Sequence, residues 1–565
     1  MFTDARSIAA DSTLQADICI VGAGIAGISI AREFIGRSES VVLLEGGGLE
    51  FTKSLRDLPT VLRRHTLGEQ ALTGGRNAGQ PYYPLRFTRV RAFGGSSRAW
   101  HEGRGVHARP LDAIDFGTRD GLPEHGWPID RAQLDPFYER AQQVCGLGPF
   151  AYDAKTWEAQ GYGAPLSLNP KLVESVIFQF GEHSKFDRYE DDFARAENVN
   201  LVLHANAVHL ADRGGRVDRV DCATMSGNRF GVHARTFVLA AGAIETARLL
   251  LVSTDSQPAG IGNSRDLVGR YFMEHPDVAA GYLIPDPKLD RSAFRLYRHQ
   301  RAGENVTVEA MFRLSDSALR TERLLNAVLR LRDTYRSGMT AAVQSAQVVR
   351  RSVHYGVATP GLARHALRAV LGAPRILRHY ATWRSGRPPE VFGIDVMAEQ
   401  APTMSSRVRL ARRRDRLGVP MTILDWRLTS IDWDSIRRTV EIFGDAVREA
   451  GVGTVISTLG AGKDPPAVFG NWHQLGTTRM HHDPARGVVD GNCRVHGMTN
   501  LYIAGGSVFP TGGYANPSLT IVALSLRLAD HLRSTPNYKP IVSNALQQNE
   551  VGFGVQDKGL TLSRR

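Results

Sequence analysis

The first apolar cluster of the chain, Asp17-Ile18-Cys19-Ile20-Val21, is a short run of β-type residues broken by Gly22-Ala23-Gly24-Ile25-Ala26-Gly27. Residues 28–35 then carry small and branched apolar side chains at helical spacing, and Val41-Val42-Leu43-Leu44 is a second apolar run ending in Glu45. Pattern and punctuation predict strand, glycine turn, helix, strand and acid, one compact βαβ unit. Residues 201–210 read as a further strand. Phe237-Val238-Leu239 reads as a buried-type strand running through Ala240-Ala241-Gly242 into a helix. Beyond residue 277, strand-like segments alternate with longer loops as far as 422–426. An amphipathic helix follows, with Ile436, Val440, Phe443 and Val447 on one face and Gly451 as its stop.

These elements predict an α/β protein with an α+β second domain. A Rossmann-like nucleotide domain is expected from the discontinuous stretches 14–135, 195–276 and 465–535. Residues 136–194 and 277–464 are assigned to a substrate domain with an antiparallel sheet and helices, and 536–565 to a flexible polar tail. The length, 565 residues, exceeds the roughly 250–300 that one hydrophobic core supports, in keeping with this division.

The glycine turn has a chemical reading. Gly22 permits the tight turn, Gly24 lets the backbone approach a pyrophosphate, and Gly27 allows close contact between helix and strand. The helix N-terminus offers unpaired N–H groups to phosphate, and Glu45 can accept hydrogen bonds from both ribose hydroxyls of an adenosine. The alternative is a tight turn with no ligand. A second glycine-rich stretch, Arg91-Ala92-Phe93-Gly94-Gly95-Ser96-Ser97, can pass its backbone close to a flat ring. By itself it reads first as a plain glycine-rich loop.

Charge and composition narrow the remaining classes. The net charge is +12, mostly from dispersed arginine, with no nucleic-acid motif, so no nucleic-acid partner is expected. Residues 319–387 are dense in arginine, with Val348, Val349, Val353, Leu367, Val370, Leu371, Ile376 and Leu377 at helical spacing. They predict either a pair of solvated helices or a basic amphipathic surface for a membrane or another acidic body. Four cysteines without short paired spacing point to a reducing compartment. Residues 1–15 hold no apolar core of signal-peptide length and no run approaches about 20 apolar residues, so a cytoplasmic location is expected. Glu274 beside His275 has the residue types of a metal site, but the following proline and the missing further ligands argue against one.

The C-terminal stretch is the most specific. It runs Asn471-Trp472-His473-Gln474-Leu475-Gly476-Thr477-Thr478-Arg479-Met480, then Gly505-Gly506-Ser507-Val508-Phe509-Pro510-Thr511, and closes on Asn516-Pro517-Ser518-Leu519-Thr520. Together with the first glycine motif, Gly94-Gly95-Ser96-Ser97, Ala241-Gly242, Phe272-Met273-Glu274-His275-Pro276 and Ser406-Arg407-Val408, this block resembles the glucose-methanol-choline family of flavoprotein oxidoreductases. Its wording is similar to bacterial sugar and polyol dehydrogenases and to pyranose and glycoside oxidases.

The resemblance implies FAD, with His473 as catalytic base and Asn516 as the second active-site position. It implies flavin contacts at Gly506, Pro517 and Thr520 and an adenine contact at Val208. Gly505-Gly506 replaces the family's usual aspartate, as in the sugar-oxidising branch. Some members bind flavin covalently through a histidine four residues after the second glycine of the Gly-Gly motif. Ala99 stands there, so the FAD is expected to be non-covalent. His101, two residues further on, reads first as a structural histidine, with contact to the flavin edge as the alternative.

The chemistry follows from the residue types. An alcohol becomes a carbonyl by losing a hydroxyl proton and a hydride; flavin N5 takes the hydride, and the protein supplies a base and an orienting group. Imidazole and a neutral amide suit these two roles. The first reading is oxidation of a secondary hydroxyl of a sugar, glycoside or cyclitol, with oxygen, quinone or another carrier as electron acceptor. The alternatives are a lipophilic alcohol such as a sterol or terpenoid, or a lyase in which FAD has no redox role.

Overall fold

In the computed structural model, residues 1–50, 68–100, 105–122, 124–182, 184–460 and 468–535 are described. His101 and the tail 536–565, both assigned roles from the sequence, lie outside these residues.

The first sheet is built on Thr13–Val21, whose residues from Ala16 onward are buried, as a parallel strand covered on both faces must be. Val41–Leu44 pairs with it on one side and Arg229–Leu239 on the other, both in parallel. Val199–Leu203 and Phe2–Asp4 extend the parallel part outward. The register aligns Val21 with Leu44 and with Leu239, so three strands end level. Gly22, Glu45 and Ala240 therefore leave the sheet side by side. Arg216–Ala223 and Asn206–Arg213 continue the sheet in antiparallel sense, while Leu501–Ile503 pairs with the far end of Arg229–Leu239.

Two expectations here need correction. The first helix spans Ile25–Arg32, not 28–35, because Gly24 supplies its cap and Gly27 already lies within its first turn. Residues 201–210 are not one strand. The chain turns at His204, with φ of 59°, between Val199–Leu203 and Asn206–Arg213.

The second sheet is antiparallel, in the order Gly453–Ser457, Asp277–Pro285, Val391–Ala398, Ala327–Thr334, Val306–Leu314, Val173–Gly181 and Val106–Ala108. The helix Ser430–Glu449 buries Ile436, Val440, Phe443 and Val447 in the core of this part. Each such side chain contributes about 1.5–3 kcal/mol. A third, small sheet joins Arg407–Arg414 and Pro420–Trp426 to Gly75–Gly79, carrying the early chain over to the later one.

The basic region is more than a pair of helices. Ala327–Thr334 is a strand of the second sheet, followed by the helices Ala341–Tyr355, Leu362–Leu371 and Ala373–Arg384. All four cysteines are free and buried. No helix among the described residues is long and apolar enough to cross a membrane.

Candidate active site

A cavity of about 1560 Å³ runs from the level strand ends of the first sheet to the loops that face the second. It exceeds the roughly 300–1,000 Å³ of a pocket for one drug-sized ligand. Gly22, Gly24, Glu45, Gly95, Ser96, Val208, Gly242, Gly506, Pro517, His473 and Asn516 all line it.

The nucleotide end follows from local backbone constraints. Gly22 has φ of 106°. Helix Ile25–Arg32 starts at Gly24, which has no side chain to cap the first-turn N–H groups. Gly95 presses onto the turn so closely that a Cβ there would lie 2.8 Å from Gly24 Cα. Glu45 accepts from the N–H of Ala23 at 3.1 Å through Oε2 and from that of Gly47 at 2.9 Å through Oε1. Each of its oxygens keeps lone-pair capacity for a ribose hydroxyl. Burial pushes its carboxyl above the ordinary value, against the backbone N–H groups and the nearby Arg91. Bare N–H groups, an acid at the strand end and a cradle open only to glycine fit FAD along this floor.

Three sequence-assigned residues do not line the cavity. Gly27 and Gly94 act beneath it, Gly94 by donating its N–H to the carbonyl of Ala23 at 2.9 Å. Thr520 is buried, with its hydroxyl 2.9 Å from that of Tyr138, so it ties the last helix to Arg131–Val144.

At the other end, residues 273–277 and 469–475 run against each other. Met273 and Leu475 exchange backbone hydrogen bonds at 3.1 and 3.0 Å, and Asp277 and Phe469 at 2.8 and 3.2 Å. Pairing on both flanks sets His275 against His473. The Nδ1 atoms of the two rings are 2.8 Å apart, and Nε2 of His473 lies 3.0 Å from Nδ2 of Asn516.

With the Asn516 amide so oriented, one pair of tautomers satisfies both contacts. An amide NH₂ only donates, so Nε2 of His473 accepts and its proton sits on Nδ1. That N–H donates to Nδ1 of His275, whose own proton is therefore on Nε2, facing the carbonyl of Gly512 at 3.4 Å. Burial holds His473 well below its ordinary value of 6.5, with the rings of His275 and His107 adding to the effect. Burial likewise draws His275 down to about 4. Both rings are neutral near pH 7, and the Nε2 lone pair of His473, held by the Asn516 amide, can take a proton once a substrate hydroxyl enters between the two groups.

Glu274 holds this arrangement from behind. Its Oε2 accepts from the backbone N–H of Asn471, His473 and His275 at 3.1, 3.0 and 3.2 Å, and its Oε1 from the hydroxyl of Tyr82. Burial pushes its carboxyl up to about 7. Trp472, between two of the pinned N–H groups, is in the left-handed region at φ of 58°, costly for a bulky residue. Its indole stacks on Tyr83, with centroids 4.2 Å apart. Sequence reasoning reached His473 and Asn516 but missed His275, Glu274 and Tyr82 as their support. The unabsorbed Glu274-His275-Pro276 run was the available signal.

One consequence is measurable. Because the folded site holds His473 below 6.5, the neutral base persists as pH falls through that value. Titration of His473 itself is expected to cost substrate-driven flavin reduction no more than about twofold from roughly pH 8 to pH 5.5, where a solvated imidazole would lose about tenfold across that range; a step near pH 7 would report Glu274. A half-point near 6.5 in single-turnover rates would show that the ring is not desolvated.

A dinucleotide cradle opening onto a neutral imidazole and an amide defines an FAD-dependent oxidoreductase acting on CH–OH groups. Residues 402–525 match the family model described as GMC oxidoreductase. It is 27% identical to the fructose dehydrogenase large subunit of Gluconobacter japonicus over 60% of this chain and 54% of that protein. Identity to 6'''-hydroxyparomomycin C oxidase of Streptomyces lividus is 26%, over 91% of this chain and 92% of the relative. Among solved structures, pyridoxine 4-oxidase from Mesorbium loti superposes with a TM-score of 0.52 at 17% identity, covering 92% of this chain and 99% of that one.

Proposed function

We propose that this enzyme oxidises a hydroxyl of a sugar, glycoside or cyclitol to a carbonyl, with FAD held non-covalently and His473 as base. The observation that carries the proposal is the Nε2 lone pair of His473, fixed by the Nδ1 contact to His275 and flanked by the Asn516 amide. A substrate hydroxyl donates its proton to Nε2 and accepts from Nδ2 of Asn516, which stabilises the developing alkoxide without adding charge. As His473 becomes an imidazolium, its Nδ1–H strengthens its bond to the neutral His275. FAD, when bound, accepts the hydride leaving the carbinol carbon. Ala99, which lines the cavity at the covalent-histidine position, supplies no bond to the ring.

The sugar reading is supported by Trp472. It is 42% exposed, lines the cavity next to the base, and is braced by Tyr83 and Tyr355. A rigid aromatic face beside hydrogen-bonding groups suits a ring with an apolar C–H face and polar edges. Relatives named for fructose, hydroxyparomomycin C and paromamine point the same way.

The test is anaerobic mixing of the yellow holoprotein with free sugars, aminoglycosides, cyclitols and long-chain alcohols, followed by flavin absorbance. Bleaching by a member of the first three groups is expected. Bleaching by the long-chain alcohols alone would transfer the activity to lipophilic substrates. Turnover of a substrate with no bleaching would indicate a lyase.

A further inference from the structure

The helices Leu362–Leu371 and Ala373–Arg384 bury almost nothing. The first has no buried residue and the second only His379. Their apolar side chains instead face outward: Val370 is 72% exposed, Leu371 75%, Leu377 70% and Trp383 63%, with Leu367 and Tyr380 beside them. Monomeric proteins seldom leave so many large apolar groups together in water, and such patches mark contact surfaces.

The charge around this patch selects the occupant. Between Asp333 and Glu390 the sequence holds nine arginines and no acidic residue. Arg351 pairs with Asp277. Arg364, Arg368, Arg375, Arg378 and Arg384 have no ion pair among the described residues. A second copy of this chain would bring another +12 and the same arginines, so like charge opposes self-association. Exposed branched aliphatics, an indole and a phenol on two successive helices that also carry five arginines make up the composition of an amphipathic element that lies in a lipid interface. Arginine adds attraction for anionic headgroups, and Trp and Tyr suit the boundary between headgroup and chain.

The pad is joined to the active site. Helix Ala341–Tyr355, which packs against both pad helices, ends in Tyr355. That ring meets Trp472 at 5.5 Å and Tyr83 at 5.5 Å, and His354 and Tyr355 line the cavity.

We propose that helices Leu362–Leu371 and Ala373–Arg384 form an interfacial pad that docks the enzyme on an anionic phospholipid surface, with the cavity wall at Tyr355 and Trp472 next to the docked face. The proposal does not depend on which alcohol is oxidised.

The experiment is co-sedimentation of the full-length holoprotein with vesicles of phosphatidylcholine alone or with about 30 mol% phosphatidylserine. Two variants are compared, Leu371→Ser/Leu377→Ser/Trp383→Ser and Arg368→Glu/Arg375→Glu/Arg378→Glu, with flavin content and melting temperature as controls for folding. Bound protein is expected to rise at least about tenfold on the anionic vesicles, and to fall by a similar factor in high salt or in either variant. Flavin reduction in free solution is expected to be unchanged, since these residues are exposed and apart from the base. Equal sedimentation of wild type and both variants would overturn the proposal. So would a concentration-dependent dimer abolished by the serine variant, which would give the patch to a second copy.

Discussion

Replacing His473 by alanine is expected to leave a yellow protein whose flavin a substrate can scarcely reduce. The cradle that fits FAD is built from Gly22, Gly24, Gly95 and Glu45 and does not include the imidazole, so flavin retention on a sizing column is expected to match wild type. The variant removes the Nε2 acceptor and leaves Asn516 with no partner on that side. Loss of a positioned general base corresponds to about 10²–10⁴-fold in rate. Anaerobic stopped-flow reduction should slow by that factor, and added imidazole should restore part of it by entering the vacated space. An unchanged reduction rate would remove His473 from the chemistry.

The same residue shows where the sequence was legible. His473 and Asn516 sit in one continuous C-terminal block, and the glycine turn, its strand and Glu45 fall within thirty residues of each other. Local runs of this kind announce themselves by spacing, because the backbone demands of a phosphate-binding turn are local. The support was not legible in that way. His275 reaches His473, 198 residues away, only because Met273 and Asp277 pair with Leu475 and Phe469, and nothing in either run alone states that pairing. The side-chain direction of Thr520 was not legible for the related reason that a helix has two sides. Its neighbours Pro517 and Ile521 line the cavity, while Thr520 itself turns inward to Tyr138. The break at His204 was equally hidden, since Val199–Leu203 and Asn206–Arg213 are both apolar and only the left-handed residue between them separates the strands.

Adding a single methyl group at Gly27 is expected to abolish FAD binding. Gly27 lies in the first turn of helix Ile25–Arg32, and a Cβ there would sit 1.9 Å from the carbonyl oxygen of Gly22 and 3.4 Å from Ala240 Cβ. The obstructing oxygen belongs to backbone whose N–H is already committed to Leu44 at 2.8 Å, so the turn cannot yield without breaking the sheet edge. The helix must therefore lift. Its first-turn N–H groups then leave the positions in which they could meet a pyrophosphate, and a shift of about 1 Å is enough to forfeit most of such an interaction. In Gly27→Ala the ratio of flavin to protein absorbance should fall to near zero after gel filtration, with the far-ultraviolet circular dichroism of the fold retained. Gly36→Ala serves as the control: Gly36 lies past the end of the same helix and a Cβ there meets nothing within 4 Å. Its φ of 74° costs a little stability but leaves the turn untouched, so its flavin content should equal wild type. Full flavin occupancy in Gly27→Ala would mean that the nucleotide does not rest on this turn, and the assignment of Gly22, Gly24 and Glu45 would go with it.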